Sequence, residues 1–302
     1  MAEQSLAKKI EEATSITLKN KFRLKNRHGR PGGVLDLTKN KSEIIIIGDL
    51  HGAAKNLVEI TKHNGNDAKI RSGESVMVIL GDGFHNDLVG QMKEMDSSNR
   101  VLQILMDMIL TYRDNLIYIK GNHDTFDERL RKSGILQGKE FREYLLAHES
   151  EEVVDLLQAF FDSLPYVVLA EGAVITHAGP IRGGVSLEDL INIEDSPDLA
   201  YQLVWNRLHE FRGNPSLKEY GEYDIRAMLR MMRLSEDTFF IVGHNPMWNT
   251  GNRTGIWRDI IGIKKHIILY CNLDTRAPYL ILKNGEIAEH YAIPKTQERM
   301  YV

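Results

Sequence analysis

A single cysteine, Cys271, stands in a chain of 302 residues, so an internal disulfide framework is excluded and a reducing compartment is expected. Long apolar runs are missing: nothing approaches the ~20 residues that a membrane-spanning helix needs. Residues 1–26 are polar and mixed in charge with no apolar stretch, so no signal peptide is expected. An excess of basic charge is missing too. With 38 Lys and Arg against 42 Asp and Glu, the formal net charge is −4, and no global field recruits nucleic acid or an anionic membrane. The chain also lacks internal repeats, low-complexity tracts and flexible linkers. Together these absences describe a soluble cytoplasmic protein without nucleic-acid or membrane partners. One main domain over residues 43–302, preceded by an N-terminal extension over 1–42, accounts for the length.

What the sequence does have begins at Glu43-Ile44-Ile45-Ile46-Ile47-Gly48-Asp49-Leu50-His51-Gly52. Consecutive β-branched residues disfavour a helix and predict a strand buried on both faces. The strand stops at Gly48 and delivers Asp49 and His51 on a tight loop at its carboxyl end, the edge where open α/β proteins place their sites. An oxygen and a nitrogen ligand this close can point at one divalent metal.

The pattern then recurs. Ser75–Leu80 reads as a strand ended by Gly81-Asp82-Gly83-Phe84-His85-Asn86-Asp87, and Leu116–Ile119 as a strand ended by Lys120-Gly121-Asn122-His123-Asp124. Tyr166–Ala170 and Ala173–Thr176 read as a hairpin leading to His177-Ala178-Gly179, and Phe239–Val242 as a strand ended by Gly243-His244-Asn245-Pro246. Between them, helical spacing appears over Ala53–His63, over 88–114 with Met92, Met95, Met106 and Met108 as core, and in two or three helices over 125–163. Tyr201–Phe211 and a helix over Ile225–Leu234 follow. Residues 28–33 read as a turn-rich loop, and 266–290 as a closing antiparallel meander with Asn284-Gly285 at its hairpin.

Five strand ends thus present Asp49 and His51, Asp82, Asn122 and His123, His177, and His244, each beside glycine. The set mixes oxygen and nitrogen without thiolate, which suits Mn²⁺, Fe or Zn²⁺ rather than a zinc finger or a calcium cage. Six such groups already exceed one tetrahedral site. A shared carboxylate would hold two ions roughly 3.5–4 Å apart, close enough to make hydroxide from a bridging water at neutral pH and to bind a phosphoryl group for in-line attack.

In order, these motifs resemble those of the calcineurin-like metallophosphoesterases, and most nearly the phosphoprotein phosphatase branch with its bacterial and phage members. Phe161-Asp162-Ser163-Leu164-Pro165 resembles that branch's lead-in, and Trp205-Asn206-Arg207 its Trp-x-Arg stretch. Gly243-His244-Asn245-Pro246 lacks the second His found after Gly-His-x elsewhere in the superfamily. The resemblance implies an α/β (α+β) fold, a β-sandwich of two mixed sheets with helices on both outer faces. It implies one metal on Asp49, His51 and Asp82, and a second on Asp82, Asn122, His177 and His244. It further implies His123 as general acid and Arg207 as a phosphate clamp.

The second motif departs from the branch's Gly-Asp-x-x-Asp-Arg-Gly: His85 replaces the Asp that orients the catalytic His, and Asn86 replaces a phosphate-binding Arg. Asp87 or Asp124 is left to orient His123, and His85 to touch phosphate, to share the acid role, or to be only a loop residue. The function expected first is a metal-dependent phosphomonoesterase of phosphoserine and phosphothreonine in proteins, using two ions, Mn²⁺ before Fe or Zn²⁺. A nucleotide hydrolase such as a diadenosine tetraphosphatase or a phosphodiesterase comes second, and a non-catalytic phosphate-binding scaffold third.

Overall fold

Alternation along the Glu43–Ile47 strand sets the layers of the molecule. Ile44 and Ile46 face a core shared by two sheets, Ile45 and Ile47 face a layer of helices, and all four are buried. Each side chain so buried contributes roughly 2 kcal/mol. The computed structural model describes residues 4–210 and 215–292.

A five-stranded sheet runs Glu286–Ala292, Ala277–Lys283, Glu43–Ile47, Ser75–Ile79, Leu116–Tyr118, with the last three strands parallel. A seven-stranded sheet runs Arg23–Lys25, Pro31–Asp36, Val167–Ala170, Ala173–Thr176, Phe239–Val242, His266–Leu269, Ile256–Arg258. Within it Ala173–Thr176, Phe239–Val242 and His266–Leu269 are parallel. Helices Leu6–Leu18, Ala54–Lys62, Asp96–Tyr112, Gln137–His148 and Glu151–Ser163 cover the outer face of the first sheet. Helices Leu187–Ile191, Pro197–Trp205 and Glu222–Met231 cover the outer face of the second. The expected sandwich of mixed sheets flanked by helices is the observed one. Met95, Met106 and Met108 lie in the core of the first helical layer, so the methionine stripe is packing; the helix itself starts only at Asp96. Among the described residues no helix is long and apolar enough to cross a membrane.

Two expectations give way. The closing meander is divided: His266–Leu269 pairs in parallel with Phe239–Val242 in one sheet, while Ala277–Lys283 and Glu286–Ala292 belong to the other. Apolar strands spaced closely along the chain look like a meander whether or not the connection changes sheets. The turn-rich loop over 28–33 is a strand from Pro31 onward, paired in parallel with Val167–Ala170. Its glycines mark close packing rather than a turn. A side chain at Gly32 or Gly33 would run into the Leu190–Ile193 segment. Phe211 and residues 293–302 of the expected domain lie outside the described residues.

Candidate metal centre

The five loops that follow Ile47, Ile79, Tyr118, Thr176 and Val242 meet at one rim of the sandwich. Backbone geometry there is tightly drawn: His51, Asp82, His85 and His244 all have positive φ, a conformation that costs side-chain-bearing residues energy and clusters at functional sites. Two of the glycines are required by contact. A side chain at Gly121 would collide with the Asp82 carboxylate, and one at Gly243 with the Asp49 carboxylate.

Asp82 is central. Its Oδ1 accepts from the His123 backbone N–H at 2.8 Å, while its Oδ2 lies 3.7 Å from His51 Nε2 and 3.5 Å from His177 Nε2. One carboxylate oxygen therefore stands between two imidazole nitrogens. On one side, His177 Nε2 also meets Asn122 Oδ1 at 3.0 Å, and its Nδ1–H is committed to the Leu80 carbonyl at 2.6 Å. On the other, His51 Nε2 lies 3.9 Å from Asp49 Oδ2, and its Nδ1 faces the His85 carbonyl at 3.1 Å. Those carbonyls hold both rings with Nε2 toward the centre, as ligating imidazoles are commonly held. Asp49 Oδ2 accepts from the His244 backbone N–H at 2.8 Å.

The donors suit cations. Asp49, Asp82, His51, His177 and His244 are buried, and among the described residues Asp49 Oδ1 and His244 Nε2 have no hydrogen-bond partner. Buried polar atoms without partners are costly and call for an explanation. Burial and the neighbouring Asp82 charge lift the Asp49 carboxyl well above its usual range, and burial lifts Asp82 as well. Burial lowers His177 to about 4 and His244 well below an ordinary histidine, leaving both rings neutral at pH 7 and able to ligate. Two sets of ligand atoms lie close enough to hold an ion each: His51, Asp82 and His123, and Asp82, His177 and His244. Asp82 belongs to both, and Asp49 Oδ2 borders the first through His51.

The other expected residues are distributed unevenly. His123 is buried with its ring 5.0 Å from that of His51, and its Nδ1 has no partner among the described residues. Asp124, expected to orient His123, instead accepts from Tyr118 Oη at 2.7 Å and from the backbone N–H groups of Gly121 and Asp82. It braces the loops that carry Asn122 and Asp82. Asp87, the other orienting candidate, accepts from Tyr270 Oη at 2.6 Å, Asn272 Nδ2 at 2.8 Å and Lys132 Nζ at 3.2 Å, and faces His51. His85 is fully buried behind His123, with ring centres 5.6 Å apart and Phe141 edge-on at 5.5 Å; neither ring nitrogen has a partner among the described residues. Burial lowers its pKa to about 3, so this ring is neutral. Arg207 Nη1 donates to Asn245 Oδ1 at 2.9 Å.

Sequence reasoning missed Lys132, Tyr270, Asn272 and Asn245 at this rim. Only Asn245 carried a local signal, its place beside Gly243-His244.

Among known proteins, the family model for calcineurin-like phosphoesterases matches residues 42–266. The chain belongs to the calcineurin-like phosphoesterases. It is a phosphoester hydrolase, of a family that works with a pair of metal ions. No curated protein matches the sequence. Among solved structures, the fold is similar to a Saccharomyces cerevisiae protein serine/threonine phosphatase described as similar to human phosphatase PP5. The TM-score is 0.72 at 15% identity, covering 97% of this chain and 90% of that one. It is also similar to a cold-active protein-tyrosine phosphatase of a psychrophilic Shewanella, with a TM-score of 0.51 at 14% identity, covering 86% of this chain and 82% of that one. At such identities the likeness is one of fold.

Proposed function

We propose that this hydrolase cleaves phosphomonoesters, with phosphoserine and phosphothreonine of proteins as its substrate class. The observation that carries the reading is the position of Asp82 Oδ2 between His51 Nε2 and His177 Nε2, at 3.7 and 3.5 Å. Asp49, His51 and Asp82 would hold one ion, and Asp82, Asn122, His177 and His244 the other, most readily Mn²⁺, with Fe or Zn²⁺ accepted by the same donors. Such a pair supplies a nucleophile at neutral pH and positive charge for phosphoryl oxygens. The chain's own part is to position and to move a proton. Arg207, held on Asn245, directs its remaining donors at phosphate. The His123 ring, beside His51, is the proposed donor to the departing alkoxide, a poor leaving group otherwise. Burial and the neighbouring His51 hold its pKa well below an ordinary histidine, so the negative charge of the bound phosphate has to restore its proton. Asp124 keeps the Asn122 and Asp82 loops in register. The protein-phosphatase assignment draws on the branch-specific stretches at 161–165 and 205–207.

A hydrolysis panel with added Mn²⁺ tests it: p-nitrophenyl phosphate, bis(p-nitrophenyl) phosphate, a phosphothreonine peptide and diadenosine tetraphosphate. Turnover of the first and third is expected. Preference for the second or fourth moves the enzyme to nucleotides or diesters, and no turnover by metal-loaded protein leaves a phosphate-binding scaffold.

A further inference from the structure

We infer that Lys132 is a second phosphate-binding cation of this site, held in place by Asp87 and acting across the pocket from Arg207. The inference deepens the phosphomonoesterase reading and rests on it for the identity of the ligand.

Lys132 is placed by a rigid piece of backbone. Lys132 and Ile135 exchange both backbone hydrogen bonds, at 3.0 and 2.9 Å, around Ser133 and Gly134, whose φ values are +50° and +82°. Positive φ at both central positions marks the tight turn type that aligns its flanking residues. From the base of this turn the Lys132 ammonium reaches Asp87 Oδ2 at 3.2 Å, and that same oxygen lies 3.8 Å from His51 Nε2. One carboxylate oxygen thus separates the ammonium from a candidate metal ligand. The charge is felt at Asp49, Asp82, Asp87, His85 and His123. Arg207 enters from another direction, with Nη1 on Asn245 Oδ1 beside His244, and its charge, like that of Lys132, reaches Asp49 and Asp82.

Neutralising Asp87 does not explain the lysine. Asp87 already accepts hydrogen bonds from Tyr270 and Asn272, and an ammonium has three donors, of which Asp87 takes one. The Lys132 side chain is 35% exposed against 10% for Asp87, so its remaining donors are open to a ligand. Asn86, nearer in sequence to Asp82, spends its amide on Gln91 and on the Leu88 backbone N–H and brings no charge. A phosphomonoester dianion has one more terminal oxygen charge to match than a diester monoanion, so Lys132 favours monoesters.

The test uses full-length Mn²⁺-loaded protein and titrates inorganic phosphate by calorimetry into wild type, Lys132→Gln and Lys132→Arg. Loss of one charge-assisted hydrogen bond predicts a Kd raised about 10- to 100-fold in Lys132→Gln and largely restored in Lys132→Arg, with metal content by mass spectrometry unchanged. An unchanged Kd overturns the inference, and so does a Kd that rises only together with loss of metal, which would make Lys132 a support for the ligands. In turnover, kcat/KM for p-nitrophenyl phosphate should fall about tenfold further than for its bis ester in Lys132→Gln; equal falls overturn the monoester preference. Failure of the phosphomonoesterase reading appears separately, as absent p-nitrophenyl phosphate turnover in wild type, while the phosphate titration still judges Lys132.

Discussion

On one flank of Asp82, His177 and His244 follow adjacent parallel strands, and His177 is tied through Nδ1 to the Leu80 carbonyl of the facing sheet. On the other flank His51, His85, His123, Asp87 and Lys132 ride on loops joined by side chains from distant parts of the chain. Asp87 is bonded to Tyr270 and Asn272, 183 and 185 residues away. The first flank inherits its geometry from sheet register, which a packed core enforces. The second adds to its parallel strand ends a polar network, Asp87 with Tyr270, Asn272 and Lys132, that nothing in its own sequence announces. On the proposed reading each flank would hold an ion, and the loop flank would add the proton donor His123 and the cation Lys132.

The comparison breaks most severely at the residue shared by both flanks. Asp82→Asn removes the oxygen between His51 and His177 while keeping the acceptor for the His123 backbone N–H. Metal content should fall on both flanks and activity by about a thousand-fold or more, since several kcal/mol of charge stabilisation disappear together. Metal analysis beside kcat/KM checks this. Retention of two ions per chain would unseat Asp82 as the bridge.

His123→Asn touches only the loop flank. Its ring lies within ligating reach of His51 and Asp82, so metal content separates two roles. For a general acid, the variant keeps both ions and kcat falls about 10²- to 10³-fold, with a smaller loss for p-nitrophenyl phosphate, whose leaving group needs less protonation. Loss of one ion with an even loss over all substrates would make His123 a ligand instead.

The same contrast explains how much was legible in the sequence. Ile44–Ile47 and the other apolar runs, each halted by glycine and a donor, are local signals; they named the six candidate ligands, and the family resemblance carried by those motifs named the sandwich. The strand at Pro31–Asp36 was hidden because glycine marks both turns and close packing, and only the helical segment against Gly32 and Gly33 separates the two. Lys132 was hidden because a lysine that follows Arg129 and Arg131 in a charged stretch resembles any solvated face. Its partner Asp87 becomes meaningful only once the end of the His266–Leu269 strand brings Tyr270 alongside. The reassignment of Asp124 from orienting His123 to bracing Tyr118, Gly121 and Asp82 has the same origin: a neighbour in sequence need not be a neighbour in hydrogen bonding.

His266 offers the finest division, between a histidine built for an ion and one built for the sheet. Both it and His177 are fully buried, both meet a backbone carbonyl through Nδ1, and burial lowers both to about 4. They differ at Nε2, which in His177 faces Asn122 and Asp82 and in His266 meets Tyr220 Oη at 3.0 Å. A histidine whose folded pKa lies below its unfolded value near 6.5 adds stability above pH 6.5, and that stability is lost as pH falls from there toward 4. By pH 5 the His266 contribution to be lost is about 2 kcal/mol. Gln can donate to the Phe240 carbonyl and accept from Tyr220 without ionising, so His266→Gln should remove that much of the decline in urea-unfolding free energy between pH 7 and pH 5. Added Mn²⁺ should leave the His266-dependent part untouched, because no ion competes for its proton. Equal pH slopes in wild type and His266→Gln would mean that His266 is not held neutral by its burial, and a slope difference abolished by Mn²⁺ would join it to the centre.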